Sequence, residues 1–511
     1  MYAIRNNGKV KQWWIYLCLG IILLIGLGLR LYGLTNNPHG FFCDEAAIGY
    51  NAYTLLHHGV DEYGKSFPIF FESFGDYKDP LQIYTTIPSV ALFGLSELST
   101  RIPSVVWGLI TIIGVYLLTR EIKSKIAGIA AAAALATMPW LIHYNRIGFE
   151  LNSYAACWTL TLYFFLKAFK RKVFFFPAFL MLAITWYSYQ PAKLLVPLLI
   201  LGWILTYHYM LWRHRKYVFL GFLVFLGISM PIIISMFTPV GTARFAMVSI
   251  FSQHLPLTQT LSKMASNYFY QLSPAFFFTG DPTFITRHLT HGLLPLLPVS
   301  IPFVAVGLLY CLITIRKASS QLLIWLLCIY PIAGALVADG PFSSRGVIGA
   351  PLFAVLIGIG IELAIRAGKH KVGKVLVSCA ICGLILVNLT IFIQFYFVEY
   401  PRLSADYWGW QYGASEIMSY FTLYQNSYDD FAMAGDFNAP EIFLKFYAPD
   451  GACPSCKIAL PDDIYSPARR QLFAMSPDDI SKNPQYIYHT VDSIVYPNGQ
   501  EAFRLVTVSK K

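Results

Sequence analysis

WWIYLCLGIILLIGLGLRLYGL at residues 13–34 is followed, eight residues later, by CDEAAIGYNA at 43–52. The first stretch is long enough to cross hydrocarbon, which takes about 20 mostly apolar residues. The second sets two carboxylates, Asp44 and Glu45, just past its end. A spanning segment that gives way at once to a charged helix start predicts chemistry at the face of a bilayer.

The rest of the chain supports a membrane setting. Of 511 residues, 56% are hydrophobic and only 13% charged, with a mean hydropathy of +0.54, too apolar for a soluble protein. Apolar runs of spanning length lie near 13–34, 102–119, 126–142, 151–166, 173–191, 194–212, 217–237, 298–315, 321–338, 346–365 and 375–398. They predict an all-α polytopic protein with about eleven transmembrane helices. The first run is longer than the roughly 7–15-residue core of a signal peptide, and no A-x-A site follows, so it reads as a retained span.

A formal charge of +11 in one patch would suggest nucleic acid, but the charge is dispersed. Nineteen of the 38 Lys and Arg fall in clusters at Arg5/Lys9/Lys11, Arg120/Lys123/Lys125, Lys167–Lys172, Arg213–Lys216, Arg316/Lys317 and Arg366–Lys374. All lie on one side of a single topology, and the positive-inside rule makes that side cytoplasmic together with the N-terminus. Segments 35–101, 143–150, 238–297, 339–345 and everything after about 399 then face outward. Asp44, Lys78, Glu150 and Arg345 share that outer side. The expected location is the plasma membrane, with membrane lipids as neighbours and no nucleic-acid partner.

Two units follow: a transmembrane unit over 1–399 and an extracytoplasmic soluble one over 400–511. Residues 401–511 carry nine basic and thirteen acidic side chains, a net of −4. Asn498-Gly499 joins two alternating runs in the pattern of a type I′ hairpin, and a small α/β domain is expected. The first outer loop spans about 67 residues, a length that is usually functional. It predicts a helix from Asp44 to His58 ended by Gly59, and a juxtamembrane helix from Asp79-Pro80 to Phe93, before Gly94.

Candidate chemistry divides by charge. Asp44 is either a helix N-cap or a general base taking a proton from an acceptor hydroxyl. Glu150, in HYNRIGFE, is either a solvated acid paired with Arg146 or a second catalytic acid, with Glu45 assisting. Lys78 and Arg345, with Arg244, Arg287 and Arg30, are the cations that could neutralise a departing lipid phosphate. For Arg30 and Arg345 the alternative is snorkelling to headgroups. His288-x-x-His291 has metal-compatible spacing but too few ligands for a site. Cys453-Pro-Ser-Cys456 is half a zinc site or a local disulfide. No cofactor is firmly implied, and a divalent metal is left open.

RLYGL at 30–34, CDEAAIGYNA at 43–52, YKDPLQIY at 77–84, STRIPSVVWGL at 99–109 and HYNRIGFELNSY at 143–154 together resemble bacterial family 39 glycosyltransferases. These are GT-C membrane enzymes related to protein O-mannosyltransferases and the lipid A aminoarabinose transferase. The resemblance implies a polyprenyl-phosphate-linked sugar donor, inversion at the sugar, and a lipid, glycan or protein acceptor. It carries the family's first-loop acid onto Asp44, the second acid onto Glu150, and the lysine of its K-P-P-type turn onto Lys78. This chain departs from that turn in having Lys78-Asp79-Pro80. Two other classes share much of the architecture: a flippase of lipid-linked sugars, and a glycan ligase using a lipid diphosphate. Coupled transporters bury ionisable groups deep in their spans, where this chain has almost none.

Overall fold

A computed structural model describes residues 4–279, 286–288 and 292–511. The chain opens with α1 (Ile4–Leu31), α2 (Cys43–His58), the strands β1 (Phe71–Ser73) and β2 (Asp76–Lys78), and α3 (Pro80–Phe93). It continues through α4 (Glu97–Ile122), α5 (Lys125–Ala136), α6 (Pro139–Tyr144) and α7 (Leu151–Ala168). All eleven apolar runs fall on helices, but not all make one long rod. Seven helices among the described residues are long and apolar enough to cross a membrane, and three more apolar helices, at 125–136, 172–186 and 298–313, are shorter. Proline is one reason. α5 stops at Ala136 because Met138, forced extended at ψ 118° by the ring of Pro139, cannot continue it.

Both first-loop helices have the expected bounds. α2 ends at Gly59, whose left-handed φ of 69° supplies the C-cap. α3 starts on Asp79-Pro80 and ends at Gly94. The N-cap of α2 is Phe42, so Asp44 lies inside the first turn and makes no capping bond. Glu45 reaches back instead, accepting the Phe42 N–H at 3.3 Å.

Three fully buried arginines tie this loop to the bundle. Arg101, on α4, meets Glu45 through Nε and Nη2 at 2.9 and 3.0 Å and also donates to the carbonyl of Gly40. Glu45 receives the Gly148 N–H at 2.8 Å as well. Arg146 does not pair with Glu150; it donates to the carbonyls of Leu29, Arg30, Gly33 and Asn37, closing the end of α1. Arg30 neither snorkels nor reaches toward a phosphate. It is spent on Asn145 Oδ1 and the carbonyls of Gly26 and Ala136.

Beneath them, the helix Gly349–Ala367 is almost entirely buried between α5 and Ile301–Ile313. Its glycines permit backbone contact: a Cβ on Gly358 would sit 2.5 Å from the Ala127 carbonyl oxygen, and one on Gly360 would sit 2.1 Å from that of Phe303.

The C-terminal part forms a five-stranded sheet from β3 (Asp430–Met433), β4 (Cys456–Ile458), β5 (Gln471–Met475), β6 (Tyr486–Val495) and β7 (Glu501–Lys510), ordered β4-β3-β5-β7-β6. β3 is parallel to β4 and β5, while β7 is antiparallel to β5 and β6. The β6–β7 connection is longer than a type I′ turn. Pro497 fixes a negative φ, the Gly499 N–H returns to the Tyr496 carbonyl, and only Gly499 turns left-handed, at φ 89°. Cys453 and Cys456 are joined by a disulfide, which decides between the two readings of that motif.

Replacing Arg101 with alanine strands a buried, fully desolvated Glu45. Thermal unfolding of purified protein should show a loss of about 3–5 kcal/mol; an unchanged transition would mean that the pair does not hold the loop.

Candidate functional site

The hairpin β1–β2 brings the first charges together. Phe74 and Gly75 form its two-residue turn, both left-handed at φ 52° and 84°, as a type I′ connection requires. The turn sends Asp76 and Lys78 back toward the start of α2. Lys78 Nζ lies 2.7 Å from Asp44 Oδ1, with the lysine side chain 9% exposed and that of Asp44 32%. The lysine ammonium also stands 5.1 Å from the Phe74 ring.

Glu150 comes from the turn immediately before α7. Its Oε1 accepts the Asp79 N–H at 2.6 Å, so the residue after Lys78 fixes the second acid. Arg244 projects from the helix Pro239–Val248 and meets Asp76 Oδ2 at 2.5 Å. Arg345 donates to the Tyr189 hydroxyl at 3.0 Å. Arg287 lies over the Phe42 ring at 3.8 Å and donates to the Gly409 carbonyl at 2.7 Å. Among the described residues, neither Arg287 nor Arg345 has a carboxylate within ion-pair distance.

These side chains line one cavity of about 330 Å³, with Asp44, Asp76, Lys78, Glu150, Arg244, Arg287 and Arg345 all on its wall. A second hollow of about 340 Å³ adjoins it. Gln190, Arg244, Val248, Val337 and Arg345 belong to both, and the second is otherwise lined mainly by apolar side chains such as Leu194, Met236, Phe245 and Leu336. A charged chamber therefore opens into an apolar one across two arginines.

Electrostatics separate the acids. Burial acts to raise the proton affinity of Asp44, but Lys78, then Arg244 and Arg287, outweigh it and hold Asp44 below the ordinary aspartate range. Glu150 moves the other way, raised first by burial and then by Asp79. Burial acts to lower Lys78, but the Asp44 carboxylate beside it more than compensates and holds it above the ordinary lysine range. His288, on the same wall, is kept neutral by burial beside Arg287 and Arg345. Its notional metal partner His291 lies outside the described residues.

Of the residues singled out from sequence, Asp44, Glu150, Lys78, Arg244, Arg287 and Arg345 converge here. Glu45 and Arg30 do not; both are buried in structural contacts. Asp76, Tyr189 and Lys193 carry no signal of chemistry in the sequence, and Asp79 reads there only as a helix start and a departure from the family's turn. Gly75-Asp76 was the available signal for a hairpin, but the strands on either side have only three residues each. Asp79 is fully buried, with Lys193 Nζ 3.7 Å from Oδ1.

Residues 78–234 match the family model described as dolichyl-phosphate-mannose-protein mannosyltransferase, less than a third of the chain. Among curated proteins no sequence relative matches. Solved structures align far more widely. ArnT from Cupriavidus metallidurans in the apo state has a TM-score of 0.59 at 13% identity over 98% of both chains. Its complex with undecaprenyl phosphate has 0.56 at 12%, over 97% of this chain and 98% of that one. The oligosaccharyltransferase AglB from Archaeoglobus fulgidus, in complex with an inhibitory peptide and a dolichol-phosphate, has 0.56 at 15% identity over 86% of this chain. This chain spans 64% of the length of AglB. At these identities the likeness establishes the fold alone: the chain has the fold shared by these structures, with a small C-terminal sheet domain.

The raised Glu150 can be read spectroscopically. Infrared difference spectra of wild type against Glu150→Gln should contain a protonated carboxyl band that persists above the ordinary glutamate range. Loss of the carboxyl proton within that range would contradict the burial argument.

Proposed function

We propose that the chain is an inverting glycosyltransferase that moves a sugar from a polyprenyl-phosphate donor to an acceptor hydroxyl on the outer face of the membrane. One observation carries this reading: Asp44 faces Lys78, Arg244, Arg287 and Arg345 within a single cavity, and that cavity continues into an apolar hollow past Arg244 and Arg345. A lipid phosphate needs both halves. Its anionic head suits the arginine forks, and its isoprenoid suits the apolar walls.

The chemistry follows from this division of charge. The acceptor oxygen attacks the anomeric carbon on the face opposite the phosphate. As that bond forms, the bond from C1 to the phosphate oxygen breaks, and its electron pair leaves with polyprenyl phosphate. Fixed cations at the departing oxygen stabilise the growing negative charge. The acceptor proton passes to Asp44. A carboxylate of low proton affinity is adequate here, because the attacking oxygen becomes strongly acidic as it bonds to an oxocarbenium-like carbon. Glu150, kept protonated, donates a hydrogen bond to the sugar or acceptor. Glu45 serves as a positioning residue, holding the first turn of α2 through Arg101. Arg30 has no part in the site.

Asp44→Asn should lose about 10²–10⁴-fold of the transfer rate when membranes are given a labelled polyprenyl-phosphate sugar, and the wild-type product should have inverted configuration. Equal transfer by both would remove Asp44 as the base, and intact donor carried across the bilayer would favour a flippase. The pH profile gives an independent check. Lys78 lowers the pKa of Asp44, so Lys78→Met should move the acidic limb to higher pH. Glu150 must stay protonated, so activity should fall on the alkaline side, and Glu150→Gln should flatten that limb.

A further inference from the structure

A third cavity, of about 480 Å³, lies on the other side of the 40–45 segment from the charged chamber. Phe41 faces it while Phe42 faces the chamber. One wall comes from the end of the α1–α2 connection and the start of α4. The other comes from 411–416 and 446–449, on the C-terminal side of the chain. It is thus a cleft at the seam between membrane bundle and sheet domain.

Its chemistry is opposite to that of the chamber. Glu97 and Glu416 line it, and no lysine or arginine does. Each glutamate lies in the first turn of a helix, α4 and Ala414–Leu423 respectively, where a carboxylate is favoured by the helix dipole. That accounts for their presence but not for the cavity. Rings from Phe41, Tyr412, Phe446 and Tyr447, with Leu95 and Leu98, contribute apolar surface. Gln411 adds an independent sign of a ligand. It lines the cleft at 3% exposure, its side-chain oxygen has no hydrogen-bond partner, and its backbone is held left-handed at φ 54°. A buried amide oxygen without a donor is costly unless something supplies one, and strained backbone of this kind gathers at binding sites.

We propose that this cleft binds carbohydrate that carries no negative charge, and that it anchors the acceptor glycan at a distance from the reacting hydroxyl. Sugar hydroxyls or an amine would donate to Glu97, Glu416 and Gln411, while the apolar faces of the rings would lie on the aromatic side chains. The two glutamates reject phosphorylated or uronic sugars. The anionic donor and its acceptor are thereby sorted into separate cavities on either side of α2's first turn. Naming the occupant as acceptor rests on the transferase reading; the binding itself does not.

The test uses full-length protein in nanodiscs and three probes of equal length: a glucosamine oligomer, an N-acetylglucosamine oligomer and a galacturonate oligomer. Titration calorimetry should find saturable binding of the first two and none of the third. Glu416→Gln should weaken the glucosamine oligomer about tenfold, the value of one charge-assisted hydrogen bond. Glu97→Gln should do the same, although it also removes the acceptor of the Tyr447 hydroxyl. Asp44→Asn should bind both probes as wild type does. Absence of saturable binding, unchanged affinity in both glutamate variants, tightest binding of the galacturonate oligomer, or a lysine-rich peptide outcompeting the sugars would each overturn the inference. If instead the probes bind as expected while Asp44→Asn transfers sugar normally, the transferase mechanism fails and this site stands.

Discussion

The buried pair of Glu45 and Arg101 is the constraint on which the charged chamber depends. Glu45 takes two hydrogen bonds from the Arg101 guanidinium, one from the Gly148 backbone and one from its own helix start. Three segments distant in sequence, α2, α4 and the turn before α7, are thus fixed to a single carboxylate. Two desolvated charges gain little net stability over an apolar contact of the same shape. What they provide is orientation: Asp44 is the next residue along, and the turn held at Gly148 leads directly to Glu150. Asp44 and Glu150 are positioned by the same ion pair, which itself stays out of the chamber.

A second consequence of this architecture is that like charges are kept apart. Asp44 has Lys78 at 2.7 Å and remains an anion. Glu150 is buried, accepts the Asp79 N–H and lies near the buried Asp79 carboxyl, so its proton is retained. Neighbouring carboxyl groups in one cavity therefore differ in charge, because the cations outweigh burial at Asp44 and do not at Glu150. Arg244 and Arg345, shared by the charged and apolar hollows, mark the point where an anionic head and a hydrocarbon tail would part.

Much of this was legible in the sequence because its signals are local. Hydropathy located the helices, Gly59 and Asp79-Pro80 fixed the ends of α2 and α3, and segregation of charge gathered Asp44, Lys78, Glu150 and Arg345. The failures were matters of long-range partnership. Arg30 looked like a snorkelling or phosphate-binding residue, since nothing in a linear reading reveals Asn145, 115 positions away, as its partner. Arg146 looked like the mate of Glu150 at helical spacing, but the intervening turn sends it toward the carbonyls of the α1–α2 connection. Glu45 stands next to Asp44 in sequence and groups with it in a linear reading, although successive helical positions point about 100° apart. The resemblance covers residues that line the charged chamber, whereas the seam cleft depends on contacts between 35–41 or 95–98 and 411–449, far apart in sequence.

In the proposed reaction the anomeric carbon of a lipid-linked sugar sits between Asp44 and the arginines. A structure with an uncleavable polyprenyl phosphonate sugar tests this most directly. The phosphonate should lie within about 3 Å of at least two of the Arg244, Arg287 and Arg345 guanidinium groups, its isoprenoid in the Leu194–Phe245 hollow, and the open face of C1 toward Asp44. A phosphonate bound elsewhere, or a sugar whose open face turns away from Asp44, would contradict it.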